Sequence, residues 1–119
     1  MRMWMVDPRV MCRQHLLGEH KELHMLASSM CLGKTLDGHV TRGQLELGSM
    51  LPRHNELVAE MERRGWNHLT PLEQDFDEWG TTMAEALSFY DDLGKVDRAA
   101  SRALLAGRCA GCRKLMGAR

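Results

Sequence analysis

The stretch DPRVMCRQHLLGEHKELHMLASSMCLG, residues 7–33, decides the fold. Asp7 is a good N-cap, Pro8 suits the first helical position, and Gly33 suits the residue just past a helix end. One long helix over residues 8–32 is therefore expected. At about 100° per residue, Cys12, Leu16, Leu23, Ala27 and Met30 fall on one stripe, and Gln14, His15, Gly18, Lys21, Glu22 and Met25 on the opposite one. The first stripe reads as core. The second is largely polar, and Gly18 at its middle leaves bare backbone where a bulky partner can approach. A mid-helix glycine costs roughly 1 kcal/mol against alanine, which makes a purely structural role less natural.

Outward from this helix, residues 33–50 are glycine-rich with little periodicity and read as a connector holding at most a short helical turn. Pro52 opens a second helix that runs to Arg64 and stops at Gly65, with Leu57, Val58 and Met61 as its buried side. Residues 69–77 read as irregular, broken by Pro71, and residues 82–90 as a short helix. A third main helix starts at Asp97 as cap, with Ala99, Ala100, Ala103 and Leu104 as small apolar contacts ahead of a basic end. The expected architecture is all-α, a compact single domain over residues 1–119 with about three main helices.

Composition agrees with that class. A chain of 119 residues, 44% hydrophobic and 27% charged, has room for one core. Aromatics at 5% beside 10 methionines favour helices packed with flexible side chains over a β-sandwich. No apolar run reaches membrane-spanning length and the first eight residues lack a secretory signal, so a cytoplasmic protein with no membrane partner is expected. The formal charge of zero hides a segregation: residues 73–92 hold seven acids and no Lys or Arg, whereas from Lys95 onward seven bases face one acid, Asp97. Such a basic segment is either a solvated helix or a face for phosphates whose binding falls steeply with salt.

The chemistry-bearing side chains leave several readings open. Cys109 and Cys112 form a CxxC that fits zinc, redox use, or ordinary buried thiols. Cys12 and Cys31 lie too far apart along one helix to share an ion, although a site can borrow one of them or a histidine. His20 and His24 are one turn apart, yet His20 lies nearer the core side and serves equally as a packed or capping imidazole. His15 and Glu22, with Gln14 and Lys21 beside them, put a donor, an acid or base, an amide and a cation on one exposed face. Trp4 and Trp66 are candidates to stack on bases or to fill the core.

The ordered runs QHLLGEHKEL (14–23), GHVT (38–41) and RHNELVAEMERRGWN (53–67) resemble the pyrimidine-dimer DNA glycosylases of the phage endonuclease V type. The resemblance covers roughly residues 1–67 and is faint from residue 69. It implies an all-α domain whose N-terminal segment threads between helices, with the α-amino group beside the first helix as nucleophile. Here Met1 takes that position, and the bulk of Arg2 is expected to keep it in place. An unperturbed α-amine titrates near about 7.7 to 8.0, so roughly a quarter is neutral near pH 7.4. Attack on sugar C1′ followed by imine formation and β-elimination would give glycosylase and abasic-site lyase activity from one amine.

By the same resemblance Glu22 is the carboxylate that stabilises the developing sugar cation and moves protons, while Arg2, Gln14, His15 and Lys21 grip the distorted duplex. Lys21 and Met25 stand where the phage enzymes have arginine, and Arg13 or the basic tail is the expected compensation. The phage enzymes' aromatic-rich tail has no counterpart here, where no aromatic follows Tyr90. The resemblance implies damaged double-stranded DNA as partner, a monomer, and neither metal nor cofactor in the chemistry. The alternatives are an abasic-site lyase or a glycosylase for another modified base, a non-catalytic DNA-binding module, and a small metal-dependent regulator built on Cys109 and Cys112.

Overall fold

Two features of the chain govern its architecture: a buried apolar N-terminal segment, Met3 to Val6, and helices long enough to clamp it. The computed structural model describes residues 2–31, 36–66 and 94–117. Among these the regular structure is entirely helical: α1 (Arg13–Cys31), α2 (Asp37–Thr41), α3 (Met50–Arg63), α4 (Arg98–Arg108) and α5 (Ala110–Gly117), with 3-10 turns at Pro8–Val10 and Leu47–Ser49. The fold is all-α, and no described helix is long and apolar enough to cross a membrane. The acidic run over 73–92, the irregular segment over 69–77 and the short helix expected over 82–90 lie outside the described residues.

The first helix begins five residues later than its punctuation predicts. Asp7 does cap, but it caps only the 3-10 turn, accepting from the Arg9 amide at 3.0 Å. Met11 then turns extended (ψ 134°) and breaks the run. The cause lies in α3: the Arg64 guanidinium donates to the carbonyls of Pro8 (3.1 Å) and Met11 (2.7 Å), fixing groups that a continuous helix would have used. The core stripe is placed as expected, with Leu16, Leu23 and Ala27 fully buried and Met30 packed against the core edge.

α3 starts two residues before Pro52, because the Leu47–Ser49 turn feeds straight into it, and Gly65 follows its end at φ +85°, as anticipated. Asp97 caps α4 by accepting from the Ala100 amide at 2.9 Å. The basic C-terminal helix is not continuous, however. Cys109 adopts an extended conformation (φ −130°, ψ 112°) that ends α4, and α5 restarts one residue later. The cysteine pair thus sits across a helix junction instead of within one helix.

The N-terminal segment runs extended between α1, α3, α4 and the loop after α2. The Met3 amide donates to the Gln44 carbonyl at 2.8 Å and the Trp4 amide to Glu19 Oε1 at 3.1 Å. Ser101 Oγ donates to the Trp4 carbonyl, and Arg53 Nη1 to the Val6 carbonyl at 2.7 Å. Unpaired buried backbone groups cost about 1–3 kcal/mol each, so these four bonds are what permit an irregular strand to lie in a helical core. Met5, in the middle, is held at φ +55°, a left-handed conformation costing a methionine on the order of 1–3 kcal/mol.

The clamp itself is an ion pair that sequence patterning did not reveal. Glu19 and Arg53 are both 1% exposed, and the guanidinium meets the carboxylate through two bonds of 2.6 and 3.0 Å. A second buried acid, Glu46, ties the loop after α2 to the start of α4. It accepts from the Val96 amide at 3.1 Å and from Arg98 through two bonds of 3.0 Å. Arg98 beside it lowers the Glu46 carboxyl to about 2, against the opposing effect of burial. Gly94 permits this approach, because a Cβ there would lie 2.6 Å from Val40.

Candidate active site

The polar stripe of α1 forms one wall of an open pocket of about 570 Å³, lined by Arg2, Trp4, Gln14, His15, Gly18, Glu19, Glu22, Gln44 and Arg108. Four of the sequence-nominated residues, Arg2, Gln14, His15 and Glu22, are therefore brought together. Lys21 is exposed on the same helix but does not line the pocket. Met1 lies outside the described residues.

Glu22 is tied to the beginning of the chain. Its Oε2 accepts from the Arg2 backbone amide at 3.2 Å, which is the nitrogen of the peptide bond to residue 1. Glu19 lies one turn earlier and accepts the next inward-facing amide, that of Trp4. Two carboxylates three residues apart on one helix thus hold alternate amides of an extended strand, matching the period of two of the strand to the turn of the helix. Glu19 is neutralised by Arg53, whereas Glu22 opens onto the pocket.

The remaining walls are Arg2, Trp4, Gln44 and Arg108, and the other two recognised runs line none of the pocket but brace it from behind. In GHVT, which forms most of α2, the His39 ring bonds Gln44 Oε1 through Nδ1 at 2.8 Å, fixing a pocket amide whose own carbonyl holds Met3. From RHNEL, which lies in α3, comes Arg53 of the clamp. Trp4 is 8% exposed and packs edge-on against the His15 ring at 5.9 Å, with the Arg2 guanidinium 5.1 Å from its ring centre on the pocket side. Trp66 instead packs between Arg13 (5.0 Å) and Arg64 (5.5 Å), so Arg13 is engaged there.

Sequence reasoning missed Gln44 and Glu19, and it offered Arg13 or the basic tail as a compensating cation. Of these, Arg108, the last residue of α4, reaches the pocket. A smaller adjoining pocket of about 210 Å³ shares Arg2 and adds Arg42 and Lys95, extending the positive surface past the mouth. The basic segment is not simply a solvated helix, since Arg98 is committed to Glu46.

Gly18 lies on the pocket wall with no atom within 4 Å of where a Cβ would be. Gly18→Ala is expected to raise stability by about 0.5–1 kcal/mol through helix propensity, read as a higher urea midpoint. Gly18→Leu should gain similarly in stability and yet lose DNA affinity, because its side chain would occupy the mouth. Equal affinity in both variants would show that this backbone is not approached.

Two clusters of metal-binding side chains complete the picture. His20, His24 and His54 stack with ring centres 4.8 to 5.1 Å apart, so the imidazole pair of α1 is joined by a third ring from α3. Cys109 and Cys112 are joined by Cys12 and His15, the latter also a pocket residue. The Cys112 backbone N–H holds the Cys109 thiol below its usual range, whereas burial pushes the Cys112 thiol up.

The sequence model of one family, described as pyrimidine dimer DNA glycosylase, matches residues 1–74, more than half of the chain. It spans α1, α2, α3 and every residue lining the larger pocket except Arg108. No curated protein and no solved structure matches the chain.

Proposed function

The chain belongs to the pyrimidine dimer DNA glycosylase family, and from that premise we propose that it excises a damaged base and cleaves the resulting abasic site, using the α-amine of Met1 as nucleophile and Glu22 as its acid–base partner. The observation that carries this reading is the 3.2 Å bond from the Arg2 amide to Glu22. Three bonds separate that amide nitrogen from the α-nitrogen of residue 1, so the two are at most about 3.7 Å apart whatever the rotation between them. That covalent tether supports assigning amine and carboxylate to one site.

In the proposed reaction the neutral amine attacks C1′, and the glycosidic C1′–N bond breaks with its electron pair leaving on the base, which takes up a proton. Positive charge builds on the sugar as the bond stretches, and the Glu22 carboxylate opposes it. Loss of a proton from nitrogen and opening of the ring give an imine. The imine acidifies the C2′ proton; its removal expels the 3′ phosphate with the C3′–O electron pair, and water then releases the amine. Glu22 takes and returns the protons in these steps.

Arg2, Gln14, His15 and Arg108 surround the mouth with donors and positive charge suited to phosphates flanking a distorted nucleotide, with Lys21 exposed farther along α1. The pyrimidine dimer is the proposed lesion, on family grounds.

Borohydride trapping tests the reading. Incubation with duplex containing an abasic site should give a covalent protein–DNA adduct in the presence of borohydride, and acetylation of the N-terminus should abolish both this adduct and glycosidic-bond cleavage in a dimer-bearing duplex. Trapping that persists after acetylation would move the nucleophile to a lysine. Salt-sensitive binding with no adduct would mark a non-catalytic module.

A further inference from the structure

We propose that Cys12, His15, Cys109 and Cys112 form a structural zinc site that staples the start of α1 to the junction of α4 and α5. Their ligand atoms all lie within 4.8 Å of one another. Cys12 Sγ is 3.8 Å from Cys109 Sγ, and His15 Nδ1 is 3.2 Å from Cys12 Sγ and 3.7 Å from Cys112 Sγ. A tetrahedral zinc with ordinary bond lengths has sulfur–sulfur edges of about 3.8 Å and sulfur–nitrogen edges of about 3.5 Å. Three of the six edges thus come within about 0.3 Å of the required polyhedron, and the other three are no longer than 4.8 Å.

The arrangement repeats itself on two helices. Cys12 immediately precedes α1 and His15 is its third residue; Cys109 immediately precedes α5 and Cys112 is its third residue. Each pair therefore places two ligands one turn apart at a helix N-terminus, where the backbone favours anionic sulfur. Two amides point at the sulfurs: Cys12 N–H to Cys112 Sγ at 3.2 Å and Cys112 N–H to Cys109 Sγ at 3.4 Å. Such bonds are the outer support that thiolate ligands use. Three thiolates and a neutral imidazole around Zn²⁺ carry one net negative charge, and arginines adjoin three of the four ligands in sequence, at positions 13, 108 and 113.

A disulfide between Cys12 and Cys109 is the competing use of these atoms. It would engage two of three sulfurs and gives no account of the imidazole, whereas zinc uses all four donors. Because the protein supplies four ligands, no position stays open for substrate, and the ion is structural. It would still reach the pocket: with Nδ1 on the metal, the His15 ring is fixed with Nε2 as its remaining nitrogen, and Arg108 is anchored beside a ligand. The site stands on these donors alone, independently of the DNA chemistry.

The test is metal analysis of the full chain purified under reducing conditions. One zinc per chain is expected. Replacement by cobalt should give the sulfur-to-metal charge-transfer absorption and the intense visible bands of a tetrahedral thiolate site. Chelation should lower the melting temperature by on the order of ten degrees. Cys109→Ser and Cys112→Ser should each lose the bound metal, while Cys31→Ser, at the far end of α1, should keep it. Sub-stoichiometric zinc with no cobalt charge-transfer band in the unaltered protein overturns the proposal, whatever the variants do. A mass two daltons low, reporting a disulfide under the same conditions, overturns it equally.

Discussion

Glu22→Gln is expected to slow glycosidic-bond cleavage by about 10²- to 10⁴-fold while leaving the urea midpoint and DNA affinity nearly unchanged. The substitution keeps size and shape, and the amide oxygen of glutamine can still accept from the Arg2 backbone at the present 3.2 Å. Only the charge and the proton-transfer capacity go. Two unit charges about 4 Å apart at an effective dielectric near 20 interact by about 4 kcal/mol, or roughly a thousandfold in rate, which is the scale of the loss anticipated. Glu22→Asp should also fail, because withdrawing the carboxylate by one methylene breaks its contact with the strand. Single-turnover rates on a duplex bearing a pyrimidine dimer measure this directly. A Glu22→Gln rate within tenfold of the parent would remove Glu22 from the proposed mechanism.

The second large effect is on folding. Arg53→Met should destabilise the protein by about 3–5 kcal/mol, a large part of the stability of a domain this size. It strands the Glu19 carboxylate in an interior where both partners are 1% exposed, and it removes the donor to the Val6 carbonyl. The double variant Glu19→Met with Arg53→Met should recover much of that loss, since exchanging both charges for apolar groups is often close to neutral. Its recovery will be incomplete, because the Trp4 amide loses its acceptor. Chemical unfolding of the parent, Arg53→Met, Glu19→Met and the double variant gives the coupling energy. A single variant within about 1 kcal/mol of the parent would show that packing, not the ion pair, holds the strand.

The helices were legible wherever local chemistry decides them. The cap at Asp97, the stop at Gly65 and the Leu16–Leu23–Ala27 stripe follow from residue preferences within a few positions, and the structure places all of them as expected. The errors arise where a distant side chain overrides the local signal. Arg64 captures the carbonyls of Pro8 and Met11 from 56 and 53 residues away and shortens α1. Cys109 interrupts a helix that its neighbours would have continued.

The pocket follows the same division. The face carrying Gln14, His15, Gly18 and Glu22 could be read from spacing, the three recognised runs marked it as the candidate site, and it lines the pocket. Buried Glu19 and Arg53 could not, because each looks like an ordinary surface charge until its partner is known. The fourfold meeting of Cys12, His15, Cys109 and Cys112 was hidden for a related reason. Half of it lies about a hundred residues from the other half, and neither half alone exceeds a common helical spacing.

The threaded strand also sets an order of events during biosynthesis. Its amides and carbonyls find partners at residues 19, 44, 53 and 101, the last of them 97 positions later than Trp4. A nascent chain exposes this segment before its partners and must carry it, apolar and unsatisfied, until α4 has emerged. Methionine side chains at positions 3 and 5 would meanwhile be open to chaperones, to peroxide and to premature collapse. The strand is translated before all of these partners yet seated only after the last of them, so the pocket can be completed only once α4 has been made.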